Sequence, residues 1–345
     1  MRWRRTFISI DGHQIIQNMN EKSGRSNAMD RRMLLSGAGS AGALGILSPS
    51  LTAAAANYGL VRPGEETWSE SLMLLHFDPE LRNGISVRVS RYPDMNATWV
   101  WCHVLFDGRM YAFTERRLPC SQARNEGTAA RADYESSAAS VAFARRGPVI
   151  GLEDIRLDAR VRSRQSSAGQ DGPGDTPVTI SAIFRPQTLK ANLPPGRSEW
   201  TGHVEIDLTV AGSSRRLTGV AKAHEQTQTA PRFDVPFTYA MMWSPTASFI
   251  ANSSPKKRYG DFEADGVARG VTDFRPAAPA GARQFSATLE DGEVVRGLAT
   301  RVAAYDVPVY DRMWNGNIVR VELHGRTLVG MLNDWRPEAQ VFAAA

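Results

Sequence analysis

Residues 219–228 read GVAKAHEQTQ, which sets Lys222, His224, Glu225 and Gln226 within five positions, directly after a run of small side chains. A histidine beside a carboxylate can act as an acid–base pair when both reach the same space. On a regular strand they do not. Gly219, Ala221, Ala223 and Glu225 face one way, and Lys222, His224 and Gln226 the other. The Gly/Ala face suits the lining of a cavity, with Glu225 projecting into it. His224 would join Glu225 there only if the strand bulges, as strands beside active sites often do. A carboxylate in a dry cavity is kept protonated near neutral pH by desolvation and can then serve as a general acid. The alternative is a strand end running into a polar loop.

Two other stretches hold titratable groups among apolar ones. ESLMLLHF (70–77) puts Glu70 and His76 on the face of Leu72 and Leu74, and WVWCHVLF (99–106) puts Trp99, Trp101 and His103 on the face of Leu105. Burying an unpaired polar group costs roughly 1–3 kcal/mol. Each histidine is therefore either satisfied by a backbone carbonyl in the core or lines an apolar cavity on which a few polar groups converge. His203 and His324 share their faces with charged residues and read as solvated, and His13 lies in the leader.

Other chemistries lack their motifs. There is no CxxC or HExxH spacing for a metal, no Gly-x-Ser-x-Gly nucleophile turn and no glycine-rich phosphate loop, so neither a metal nor another cofactor is expected. Asp261, Glu263 and Asp265 share a strand face that could suit a glycosidase. The Asp265-Gly266 pair beside them reads more simply as a hairpin turn.

The elements that must carry these residues are strands. GISVRVSRY (84–92), HVEIDLTVAG (203–212) and NIVRVELHGRTLVGML (317–332) alternate apolar and polar residues, which predicts one dry and one wet side for each. FDGR (106–109), ADGV (264–267) and EDGE (290–293) mark turns between them. Residues 133–147 fit either a helical turn or a strand. The polar run 162–177 reads as a hairpin insertion, and the Pro-Pro-Gly stretch within 185–200 as a domain boundary.

The first 56 residues form a leader. They hold seven of the 41 lysines and arginines and three of the 36 acids, which leaves a body of 34 basic against 33 acidic residues. That near-neutral body has no basic stripe, which argues against nucleic-acid binding. MDRRMLLSGAGSAGALGILSPSLTAAAA (29–56) has paired Arg31 and Arg32, a weakly apolar stretch and a small-residue end, the pattern of a twin-arginine export signal. Cleavage is expected at Ala55 or Ala56, with either Met1 or Met29 as the start. The translocase would then be a partner during export, and the product periplasmic or secreted without an integral membrane span. Whether Cys102 and Cys120 form a bridge stays open at this level.

ESLMLLHFD, TWVWCHVLFDGRMY, LTGVAKAHEQTQTAPRF, FTYAMMWSP and YGDFEADGVARGV occur in the order and spacing of the lipocalin-like AttH and hydroxyneurosporene synthase superfamily, which the chain resembles over residues 65–340. The resemblance implies an all-β protein with two abutting lipocalin-like β-barrel or curved-sheet domains, here taken as 57–195 and 196–345. By the same resemblance Gly219, Ala223, His224, Glu225, Gln226 and Arg232 fill the signature, although the hydratase branch has His-Asp-Asn-Gly where this chain has His-Glu-Gln-Thr. Hydratase and cyclase members protonate an isoprenoid double bond and let water or an internal nucleophile capture the cation. On that reading Glu225 or His224 is the acid, and Glu70, His76 or His103 the helper. Trp99, Trp101, Tyr239 and Trp243 supply cation-stabilising walls, with Gln226 and Arg232 beside them. The expected function is cofactor-independent water addition or elimination, isomerisation or cyclisation on a terpenoid or steroid-like molecule. The alternative is a periplasmic carrier of an apolar ligand.

Overall fold

The computed structural model describes residues 6–10, 13–17, 67–120, 134–136, 139–146, 151–165, 172–191, 196–229, 235–256, 259–309 and 312–335. Arg31, Arg32, the expected cleavage site and Arg232 lie outside them. Among the described residues no helix is long and apolar enough to cross a membrane, which says nothing of membrane β-barrels.

A short hairpin comes first, β1 (Thr6–Ile10) and β2 (His13–Gln17). The strands β3 (Ser69–Phe77), β4 (Gly84–Tyr92), β5 (Ala97–Phe106), β6 (Arg109–Leu118), β7 (Tyr134–Ser136), β8 (Val141–Arg146), β9 (Asp154–Ser163), β10 (Thr176–Ala191), β11 (Arg197–Val210) and β12 (Ser213–Gln228) follow. They form one sheet in the order β6-β5-β4-β3-β12-β11-β10-β9-β8-β7, with β2 attached to β10. The sheet curls until β6 meets the β9 side, through bridges Ala112–Arg164 and Thr114–Gly172. Then β13 (Phe237–Trp243), β14 (Ala247–Asn252), β15 (Tyr259–Ala264), β16 (Val267–Pro276), β17 (Ala282–Leu289), β18 (Val294–Val309), β19 (Arg312–Leu323) and β20 (Arg326–Trp335) close into a barrel. The all-β reading and the curled-sheet-plus-barrel architecture are thus found.

Turn chemistry sets the registers. Asp107-Gly108, Ala211-Gly212, Asp265-Gly266 and His324-Gly325 all have positive φ at both positions, which is the two-residue hairpin loop whose twist matches the flanking strands. FDGR and ADGV are therefore the turns expected.

The structure departs from the expected division at 195/196. Residues 185–200 span the end of β10 and the start of β11, which pair with each other from Val178–Val210 to Ala191–Ser198 inside the first sheet. β11 and β12 are long apolar-alternating strands that complete the curled sheet, so the chain crosses to the barrel only between Gln228 and Phe237. Residues 133–147 contribute the strands β7 and β8. Cys102 and Cys120 are not joined by a disulfide, and burial pushes the Cys102 thiol up to about 12.

Apolar side chains pack in three layers. Leu72, Leu74, Val87, Phe143 and Trp200 fill the inside of the curled sheet. Phe249, Phe262, Phe274 and Phe285 fill the inside of the barrel. The third layer lies between the two units and includes Met73, Leu75, Phe77, Trp99 and Trp101 from the sheet with Tyr239, Trp243, Tyr305 and Trp314 from the barrel. This layer overturns the wet side expected of GISVRVSRY: Ser86 and Ser90 are buried and Arg88 half-buried, because the barrel covers that face.

Candidate functional site

β12 runs between β11 and β3 with no register shift through Lys222–Gln226. The bulge that would have brought His224 to Glu225 is absent there, so the two point to opposite faces. The proposed acid–base pair is not a pair.

Glu225 turns inward. Its Oε2 lies 2.5 Å from Arg145 Nη1, and Arg145 Nη2 donates to Glu153 Oε2 at 3.1 Å. Glu70 is on the same side, with its Oε1 2.5 Å from Arg91 Nη1, and both are buried. These carboxylates sit against guanidinium groups, where the sequence reading had set Glu225 in a dry cavity of small residues. His76 also points inward. Its Nδ1 donates to the Val220 carbonyl at 2.9 Å, and its ring packs on Gly219, where a Cβ would come within 2.9 Å of Cε1. Burial lowers its pKa. His76 is a core histidine whose Nδ1 is satisfied by the backbone, while its Nε2 makes no hydrogen bond to any described residue.

The outward face of β12 differs. Strand register sets three rows across β11, β12, β3, β4 and β5: Arg197–Gln226–Ser71–Ser90–Trp99, Glu199–His224–Met73–Arg88–Trp101 and Thr201–Lys222–Leu75–Ser86–His103. Strands stand about 4.8 Å apart, so each row spans roughly 19 Å. The barrel lays Tyr239 and Trp243 on this face. Of the residues singled out from sequence, His224, Gln226, His103, Trp99, Trp101, Tyr239 and Trp243 therefore share one layer, while Glu225, Glu70 and His76 lie behind it.

Arg197 organises the polar end of this layer. Its Nε donates to Glu199 Oε1 at 2.5 Å, its Nη1 to Gln226 Oε1 at 3.3 Å, and its Nη2 to Tyr239 Oη at 2.5 Å and His224 Nδ1 at 3.3 Å. A guanidinium only donates, so His224 Nδ1 is an acceptor and its ring proton belongs on Nε2. Tyr239 Oη in turn lies 3.4 Å from Glu199 Oε1. Burial raises the Tyr239 pKa well above the usual value, so its phenol keeps its proton. Burial alone would disfavour the Arg197 charge, but Tyr239, Tyr259 and Glu199 around it more than offset this and the pKa is raised.

The other end is aromatic. His103 stacks on Tyr305 with centroids 4.0 Å apart, Trp99 on Trp101 at 6.3 Å, and Arg88 lies 5.1 Å above the Trp101 ring. Burial lowers the His103 pKa to about 3, leaving a neutral imidazole at ordinary pH. Trp99 Nε1, Trp101 Nε1, Trp243 Nε1 and His103 Nε2 are buried and make no hydrogen bond to any described residue. Natural structures pair nearly all such groups, so four in one layer call for an explanation. No group of three or more metal-ligating side chains occurs among the described residues.

Sequence reasoning missed Arg197 and Glu199 because they sat beside a supposed domain boundary. Their alternation with Trp200 along RSEW was the available signal.

An AttH-like protein from Nitrosomonas europaea superposes with a TM-score of 0.50 at 12% identity, covering 78% of this chain and 92% of that one. The chain has the AttH fold. Kievitone hydratase from Nectria haematococca (TM-score 0.49, 12% identity, 81% of this chain and 91% of that one) and CghA solved with Sch210972 (TM-score 0.49, 10% identity, 78% and 88%) are further likenesses. No protein-family model and no curated protein sequence matches. Within the AttH fold of this chain, the layer between curled sheet and barrel is where titratable and aromatic side chains converge.

Proposed function

We propose that the chain binds an apolar small molecule between its curled sheet and its barrel and moves protons on it without a cofactor, adding or eliminating water, isomerising or cyclising it. The observation that carries this reading is the position of the Arg197–Glu199–Tyr239–His224 cluster: buried, internally hydrogen-bonded and continuous with an aromatic layer in which Trp99, Trp101 and Trp243 Nε1 and His103 Nε2 make no hydrogen bond to any described residue. A purely structural layer gains nothing from such nitrogens, whereas a ligand with acceptor groups would satisfy the indoles.

In this reading Tyr239 and His224 Nε2–H are the proton-bearing groups, Glu199 is the acceptor, and Arg197 holds all three in place. Trp99 and Trp101 present faces on which positive charge developing in the substrate is stabilised. The terpenoid or steroid-like substrate class rests on the sequence resemblance and on the apolar character of this layer. Export through the twin-arginine translocase rests on the leader.

The test uses the full chain with a panel of unsaturated terpenoids and steroids, read by mass spectrometry and by indole quenching. Tyr239→Phe and His224→Gln are expected to lower turnover by roughly 10²–10⁴-fold while binding persists. Glu225→Gln, on the other face, is expected to cost about 1–3 kcal/mol of stability while turnover of the folded protein holds. Quenching without any product in the wild type would instead support the carrier. Loss of turnover in Glu225→Gln alone would move the chemistry inside the curled sheet.

A further inference from the structure

The chain uses arginine for nearly all its positive charge. Its lysines are Lys22, Lys190, Lys222, Lys256 and Lys257, against 41 lysines and arginines together. Two of the five, Lys190 and Lys222, stand in the layer between sheet and barrel. A guanidinium neither gives up its proton at ordinary pH nor condenses with a carbonyl, and an amine does both.

Lys222 is 1% exposed, and its Nζ donates to Thr201 Oγ1 at 2.5 Å. It sits two positions from His224 on the same face, and Glu199 is its diagonal neighbour across β11, about 7 Å away by strand geometry. Lys190, from β10, is ion-paired with Asp261 and Glu263 of the barrel and stays charged. Burial first, and the Lys190 charge second, lower the Lys222 pKa to about 8, against the pull of Asp261, Glu199 and Glu263. Desolvation and an adjacent cation are what activate a nucleophilic amine.

We propose that Lys222 condenses with the carbonyl of an apolar aldehyde or ketone held in this layer. The neutral amine attacks the carbonyl carbon and the C–N bond forms as the C=O π pair moves to oxygen. Both amine protons pass to that oxygen, which leaves as water, and a C=N bond remains. Protonated, this imine withdraws electrons from a conjugated double bond, so water can add to it or be lost from it. That matches the cluster nearby. A phenol, an imidazole and an amine are weak acids, poorly suited to protonating an isolated alkene but adequate once the double bond is conjugated to an iminium. The substrate class is therefore an apolar molecule with a carbonyl next to its reacting double bond. This deepens the binding reading above and rests on it.

The test treats the full chain with dodecanal and cyanoborohydride and locates adducts by peptide mapping. At pH 8 the adduct is expected on Lys222 at least tenfold above exposed Lys256, and it disappears in Lys222→Met. Labelling should rise through about pH 8. In Lys190→Met it should fall severalfold at pH 8 and return by pH 10, because removing that charge and leaving Asp261 and Glu263 unpaired both raise the Lys222 pKa. Labelling spread over Lys256 and Lys257 with none on Lys222 overturns the proposal. Indole quenching by dodecanol, which has no carbonyl, separates the two readings. Quenching without a Lys222 adduct removes the imine and leaves the binding site, whereas a Lys222 adduct without quenching removes the aromatic layer as the site and leaves the amine.

Discussion

Glu225 and His224 are consecutive in the chain, yet Glu225 reaches Arg145 inside the curled sheet and His224 reaches Arg197 outside it. Side-chain alternation decides this, since nothing in the register of β12 there interrupts it. His103 shows how burial alone fixes a residue's behaviour. Its imidazole takes a proton only near pH 3 in the folded state and near 6.5 in the unfolded one. Between those values the unfolded chain binds more protons, so stability falls as pH drops through that window. His103→Phe, which keeps a ring against Tyr305, is expected to flatten the dependence of Tm on pH between 6.5 and 4. Thermal melts across that range check it, and an unchanged slope would mean that His103 is protonated in the native layer.

At the scale of the element, β12 carries the design. Its inner face needs a small residue where the His76 side chain of the neighbouring β3 folds over it, and that residue is Gly219. A Cβ there would meet His76 Cε1 at 2.9 Å, and its φ of +154° is one that branched residues adopt poorly. Gly219→Val is expected to cost about 1–3 kcal/mol by chemical denaturation, as overpacking does. If the clash is the cause, adding His76→Ala should recover part of that loss, a coupling that additive effects would not give. The small-residue run in GVAKAHEQTQ was legible in the sequence. It reads as room for β3 and its histidine, not as room for a ligand.

At the scale of the molecule, the sheet and the barrel depend on each other. β3 is buried along its whole length, its Met73, Leu75 and Phe77 lying against the barrel while Leu72 and Leu74 face the sheet's own interior. Trp99, Trp101 and Leu105 of β5 join that outer surface. A chain ending at Gln228 would expose all of them as one contiguous apolar face, a patch that soluble monomers rarely tolerate. Such a truncation is expected to aggregate or to bind a hydrophobic dye strongly, checked by light scattering beside the full chain. A monomeric, dye-silent fragment would show that the layer between the units contributes little to keeping the sheet soluble.

The sequence by itself determined the strands, because period-two alternation and Asp-Gly turns are local signals. It also determined which neighbours share a face, including Lys222 with His224 and Gln226. Only the tertiary structure decided what each face meets. The polar alternation of GISVRVSRY looked solvent-facing and is covered by a barrel encoded 150 residues later. Arg145 and Arg197, which take Glu225 and His224 apart, come from β8 and β11, and nothing near residue 224 announces either. Partner choice across a sheet depends on strand order and closure, which are set by the packing of distant apolar faces and not by the spacing of the residues they bring together.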